Sequence, residues 1–150
     1  MSEIILFYRV DEPYGEFSNF SKHGFWIGNV YWRTVEHYFQ AHKFHDNELR
    51  NTMMKILSPM EVANMGRDRR HPLRKDWESV KDDIMRFAVL EKFKQNDSAR
   101  DVLLSTGNSQ LIEHTKNDNY WADGGDGTGR NMLGIILMET REQLKKESTS

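Results

Sequence analysis

Hydrophobic and polar positions divide the chain into short segments of different period. Ile4 to Tyr8 is a continuous apolar run between Glu3 and Arg9, which predicts a short buried strand. Asp11-Glu12-Pro13-Tyr14-Gly15 is turn chemistry, because proline presets φ and glycine accepts conformations that other residues resist. From Phe17 to Trp32 the aromatics are interrupted by Gly24, Gly28 and Asn29, a pattern of short strands or a hairpin turning at Ile27-Gly28-Asn29-Val30. From Thr34 the period becomes helical, and Glu36 to Phe44 is read on that helix. Ser58-Pro59-Met60-Glu61 starts another: serine caps exposed amides, proline suits the first helical position and Glu61 can bond back to the cap. Asp76 is expected to cap a long helix whose apolar stripe is Trp77, Val80, Ile84, Phe87 and Ala88. Asp97 begins a short helix, and Gln110 to Thr115 reads as a strand. A glycine-rich loop, Asp123 to Gly129, leads into a last helix from about Asn131 to Lys146, with Leu133, Ile136, Leu137 and Leu144 on one face. These elements predict one α+β domain over residues 1–147, predominantly helical with a small β-sheet, and a frayed tail at residues 148–150.

Composition narrows the class. Of 150 residues, 37% are hydrophobic, 29% charged and 11% aromatic, so rings must supply much of the core. A net charge of −2 provides no global attraction for nucleic acid or an anionic membrane, and any anion site must be local. The absence of cysteine removes disulfides, thiolate metal sites and a cysteine nucleophile. With an acidic residue early, no basic leader and no apolar stretch of bilayer length, the chain is expected to be a soluble cytoplasmic protein without a membrane partner.

Three segments carry candidate chemistry. In Glu36-His37-Tyr38-Phe39-Gln40-Ala41-His42-Lys43-Phe44, a helical period of about 100° per residue puts Glu36, Phe39, Gln40 and Lys43 in one arc. That stripe is either a solvated face with one aromatic or the wall of a site for a small substrate. The second segment, Tyr120 to Asn131, has four glycines in six residues and opens a helix, so its uncovered amides could receive an anion. It lacks the Gly-Lys-Ser/Thr of a Walker loop, Met132 occupies the third Rossmann glycine position, and Gly134 stands where a calcium loop needs glutamate. The third, Gly66 to Lys75, holds five basic residues broken by Pro72, either a solvated charge run or arginine forks for phosphate. Trp77 and Trp121, beside these segments, are candidates to wall or stack against a base. His37, His42 and His45 form no metal-binding motif, and neither a metal nor a cofactor is assigned.

Taken together the segments resemble the NADAR, or YbiA-like, family of riboflavin-intermediate N-glycosidases. The residues that carry the resemblance run in order. They are Pro13-Tyr14-Gly15-Glu16-Phe17-Ser18-Asn19-Phe20, Glu36-His37-Tyr38-Phe39-Gln40-Ala41 with Lys43-Phe44, Ser58-Pro59-Met60 and Met65-Gly66-Arg67. Pro72-Leu73-Arg74-Lys75 with Trp77-Glu78, Glu113-His114-Thr115, Tyr120-Trp121, Asp123-Gly124-Gly125, Gly127, Gly129, Asn131 and Leu133-Gly134 follow. The resemblance implies a mainly helical α+β fold and hydrolysis of a ribose C1′–N bond in 5′-phosphorylated ribosylamino-pyrimidine intermediates. Other branches resemble enzymes that remove ADP-ribose from guanine in nucleic acid, so a nucleic-acid partner arises only under that alternative. A third class is a non-catalytic nucleotide or ADP-ribose sensor.

Breaking a C1′–N bond builds positive charge on the sugar and negative charge on the departing base, so the chemistry asks for a carboxylate at one and a proton donor at the other. Glu36 and Asp123 are the expected acids, and Lys43 either holds the sugar or phosphate or attacks C1′ of an opened sugar. Arg67 and Arg74, with the amides of Gly124 and Gly125, are expected to grip the phosphate, and Trp77 and Trp121 to wall the base. Asn19, Gln40 and Asn131 complete the expected substrate-binding set. Base identity and oligomeric state are not readable.

Overall fold

The computed structural model describes residues 3–148. Along the chain these form β1 (Ile4–Phe7), a 3-10 turn (Gly15–Phe17), β2 (Phe25–Ile27), β3 (Val30–Trp32), α1 (Val35–Ala41), α2 (Asn47–Lys55) and α3 (Pro59–Arg67). They continue as α4 (Trp77–Gln95), α5 (Asp97–Ser105), β4 (Gln110–Glu113) and α6 (Met132–Ser148). The class is α+β, as expected, with the four strands in two separate two-stranded sheets. Backbone contacts group the chain into two compact units: the continuous segment Lys22–Asn96, and a discontinuous one joining the chain up to Ser21 to the chain from Asp97 onward.

In the discontinuous unit β1 pairs with β4 in parallel, from Ile4 opposite Gln110 to Phe7 opposite Glu113. The opening run is half-buried rather than buried: Ile5 and Phe7 point inward while Ile4 and Leu6 are exposed. A two-stranded sheet with one covered face has only alternate positions to bury. Phe7 meets Phe17 edge-on at 5.6 Å. On α6, packed against β4 and α5, the expected face of Leu133, Ile136, Leu137 and Leu144 is buried. Ser148 continues that helix instead of fraying, and the remainder of the expected tail lies outside the described residues.

The continuous unit begins with the expected hairpin, Phe25 opposite Trp32 and Ile27 opposite Val30. Thr34 then caps α1, its Oγ1 accepting from His37 N at 3.1 Å. α1 packs on α2, α3 and α4. Ser58 caps α3 as expected, Oγ accepting from Glu61 N at 3.2 Å. Two expectations for α4 are corrected. Asp76 precedes it without capping it, because its carboxylate is held by Arg74 at 2.6 Å. The buried face is Trp77, Met85, Ala88, Val89, Lys92 and Phe93, while Phe87 is exposed. α2 has no counterpart among the elements read from the sequence.

Candidate active site

α1 ends at Ala41, so the stripe read as one helix is a helix followed by a turn, with Lys43 N donating to Gln40 O at 3.3 Å. The turn still brings the lysine back over the stripe. Its Nζ lies 5.8 Å from the ring centre of Phe39 and 6.0 Å from that of Trp77, and the two rings meet edge to face at 5.0 Å. Glu36 and Gln40 are both buried, and Gln40 Nε2 donates to Glu36 Oε2 at 3.1 Å. Gln40 Oε1 is buried without a hydrogen bond. Behind it stands Gly66, where a Cβ would collide with that oxygen, which is why glycine occupies this turn of α3.

Electrostatics follow from this packing. Burial pushes the Lys43 ammonium down from 10.5 to about 8; Glu36 opposes the shift, while Arg69, Arg67 and Lys81 add repulsion that deepens it. The segment therefore holds together a buried carboxylate, an amide and an amine that is partly neutral near physiological pH. Trp77 is buried, so it can wall this place but offers little face for stacking. Arg74 is drawn elsewhere: Nε and Nη2 donate to Asp76, and Nη1 to His42 O at 3.3 Å. Its guanidinium is occupied in tying the chain after α3 to the end of α1. Arg67 lies exposed at the last residue of α3, with Nη1 donating to Asn64 at 3.3 Å.

The other candidates lie in the discontinuous unit. Asp123 is buried, and its carboxylate accepts from Thr115 N at 3.1 Å, Gly125 N at 2.8 Å and His114 Nδ1 at 2.7 Å. Burial pulls its pKa up, but the His114 bond and the two amides outweigh it, and the net shift is below the ordinary value. The expectation of uncovered loop amides is corrected. Gly124 N donates to Asp118 O, Gly129 N to Asp123 O, Met132 N to Tyr120 O and Leu133 N to Trp121 O. Positive φ at Gly124 (74°) and Gly125 (86°) folds the loop back on the aspartate, consuming the donors an anion would have used. Asn131, at φ 52°, is bonded to β4 through both side-chain groups: Oδ1 accepts from Glu113 N and Nδ2 donates to Leu111 O. Trp121 is half-buried, edge-on to Tyr120 at 4.9 Å. Asn19 is half-buried just after the 3-10 turn.

The sequence marks His114 only as part of a motif and gives no sign of its pairing with Asp123. Its Nδ1–H donates to the Asp123 carboxylate, a bond that fixes the orientation of the ring. Lys81, outside the basic run, carries no signal in the sequence beyond standing one helical turn after Trp77. Among the described residues no group of three or more His, Asp or Glu side chains gathers as a metal site.

A buried acid near a lysine of lowered pKa, in an α+β fold, is the kind of perturbed pair that marks an enzyme's site. The profile of the NADAR domain matches residues 6–145, and the chain belongs to that family. It is 51% identical over 144 residues to the N-glycosidase YbiA of Escherichia coli, covering 96% of this chain and 90% of that one. The NMR structure of the E. coli protein YbiA superposes with a TM-score of 0.93 at 50% identity, covering 100% of this chain and 90% of the other. A riboflavin biosynthesis protein of Vibrio vulnificus is 38% identical over 148 residues, 99% of this chain and 40% of the relative. The chain is thus a hydrolase of N-glycosyl bonds, which sets aside the non-catalytic sensor.

Proposed function

We propose that this N-glycosidase hydrolyses the ribose C1′–N bond of 5′-phosphorylated ribosylamino-pyrimidine intermediates of riboflavin synthesis, a small-molecule reaction in the cytoplasm that removes labile intermediates. The observation that carries the reading is the buried Glu36 with Lys43 nearby at a pKa of about 8. The relative named for riboflavin biosynthesis supports the substrate class. As the C1′–N bond breaks, the Glu36 carboxylate offsets the charge growing on the sugar ring, in surroundings dry enough for that attraction to count. Gln40 holds the carboxylate in place. Water supplies hydroxide to C1′ and a proton to the departing base nitrogen.

Lys43 has two roles to separate: electrostatic grip on the sugar, or attack on C1′ of the opened sugar, expelling the base as its amine and leaving a Schiff base that water then hydrolyses to free the sugar and the lysine. Borohydride added during turnover distinguishes them, since a reduced ribosyl adduct on Lys43 forms only along the covalent route. For the reaction itself, pure protein is incubated with ribosylamino-pyrimidine phosphates and with ADP-ribosylated guanine, and released base is measured by mass spectrometry. Release from the first and not the second is expected; the reverse pattern transfers the chain to the nucleic-acid branch. Glu36→Gln should lower kcat by about 100-fold or more with little change in KM.

A further inference from the structure

Positive charge in the continuous unit is gathered differently from the way the basic run suggested. Arg67 and Arg69, at the end of α3, and Lys81, in the second turn of α4, all act on the Lys43 ammonium. Arg69 is folded back over the helix end, Nη2 donating to Gly66 O at 2.9 Å, beside the glycine that abuts Gln40. Lys81 follows Trp77 by one turn on the same face, and Trp77 is the ring beneath Lys43. Its side chain is only 16% exposed although its partner Glu78, at 2.9 Å, is 81% exposed. Lys43, Arg67, Arg69 and Lys81 thus gather near Glu36, with Arg67 and Arg69 exposed and Lys81 held against Glu78. Neighbouring cations of this kind repel one another less once an anion lies between them. Arg74, by contrast, commits Nε and Nη2 to Asp76 and Nη1 to His42 O.

We propose that Arg67, Arg69 and Lys81 form the phosphate subsite, with Arg69 and Lys81 in the place expected for Arg74. This rests on the substrate being a 5′-phosphorylated ribosyl compound. The guanidinium forks take phosphate oxygens in pairs and the lysine supplies a point charge.

The test compares base release from a ribosylamino-pyrimidine 5′-phosphate and from its dephosphorylated counterpart, in wild type, Arg69→Gln, Lys81→Met and Arg74→Gln. Competition by inorganic phosphate is measured alongside. Arg69→Gln and Lys81→Met should each reduce the preference for the phosphorylated compound, as a ratio of kcat/KM, by roughly ten-fold and weaken phosphate inhibition to match. Arg74→Gln should lower thermal stability while keeping the wild-type ratio. Lys81→Arg, which keeps the charge, should preserve most of the preference and stands in if Lys81→Met melts below assay temperature. Unchanged ratios in the Arg69 and Lys81 variants overturn the subsite. Wild type that releases base from neither compound overturns the substrate reading instead.

Discussion

Lys43 illustrates how much a single turn can change a side chain. One residue beyond the helix C-cap, it lies against Phe39 and Trp77 instead of extending into water, and burial lowers its pKa to about 8. Its reactivity towards an amine-acylating reagent, followed by peptide mass spectrometry, should show a midpoint near pH 8, well below the 10.5 of an ordinary lysine. A midpoint above 10 would remove the neutral amine from the mechanism. The same shift has a stability consequence. Between pH 8 and 10.5 the unfolded chain holds more protons at this position than the folded one, so the contribution of Lys43 to stability rises with pH through that window. At pH 7, below the window, the buried ammonium is a burden, and Lys43→Met should raise Tm by roughly 2–4 °C while abolishing turnover. Asp123 shows the opposite economy: three donors satisfy it, and the glycines of its loop serve that satisfaction.

At the scale of elements, α1 and α3 approach through Gly66, where a methyl group would press on the Gln40 amide that holds Glu36. Gly66→Ala should cost about 1–3 kcal/mol by overpacking, seen in a denaturant midpoint, and lower kcat by displacing the acid. A variant with wild-type stability and rate would show that the helices part without consequence. Local chemistry made several elements legible from the chain. The β2–β3 turn sits where Gly28-Asn29 interrupts the aromatics, Ser58 caps α3, and α6 buries the face its leucines and isoleucine mark out. Long-range partners made others illegible. α4 buries Met85, Val89 and Phe93 and also Lys92, so its buried face includes a charged residue and leaves out Phe87. Asp76 carries a capping residue's chemistry, but Arg74 competes for its carboxylate. α2 did have a readable start, since Asp46 accepts from Leu49 N, but it was masked by the apparent continuity of the helix before it. Within the site, the acid, amide, aromatic and lysine types were legible at their spacing. Arg74 and the loop amides were misread because a sequence does not show which donors are already spent.

For the molecule as a whole, net charge is −2, so attraction for an anionic substrate must be local, and the cations around Lys43 are the proposed source. Raising NaCl from about 50 to about 300 mM should increase KM for a phosphorylated substrate by about two- to five-fold and leave kcat nearly constant, because screening acts on encounter and not on the buried acid. A KM indifferent to salt would place phosphate recognition elsewhere.

The parallel pairing of β1 with β4 joins residues more than a hundred positions apart. During vectorial synthesis, the segment between them can close its own contacts while the C-terminal third is still inside the ribosome. The strand made first must wait, its backbone edge without a partner, until β4 emerges. That waiting strand is the stretch a ribosome-associated chaperone would meet, and synthesis stalled before Gln110 would strand the nascent chain with an unpaired edge.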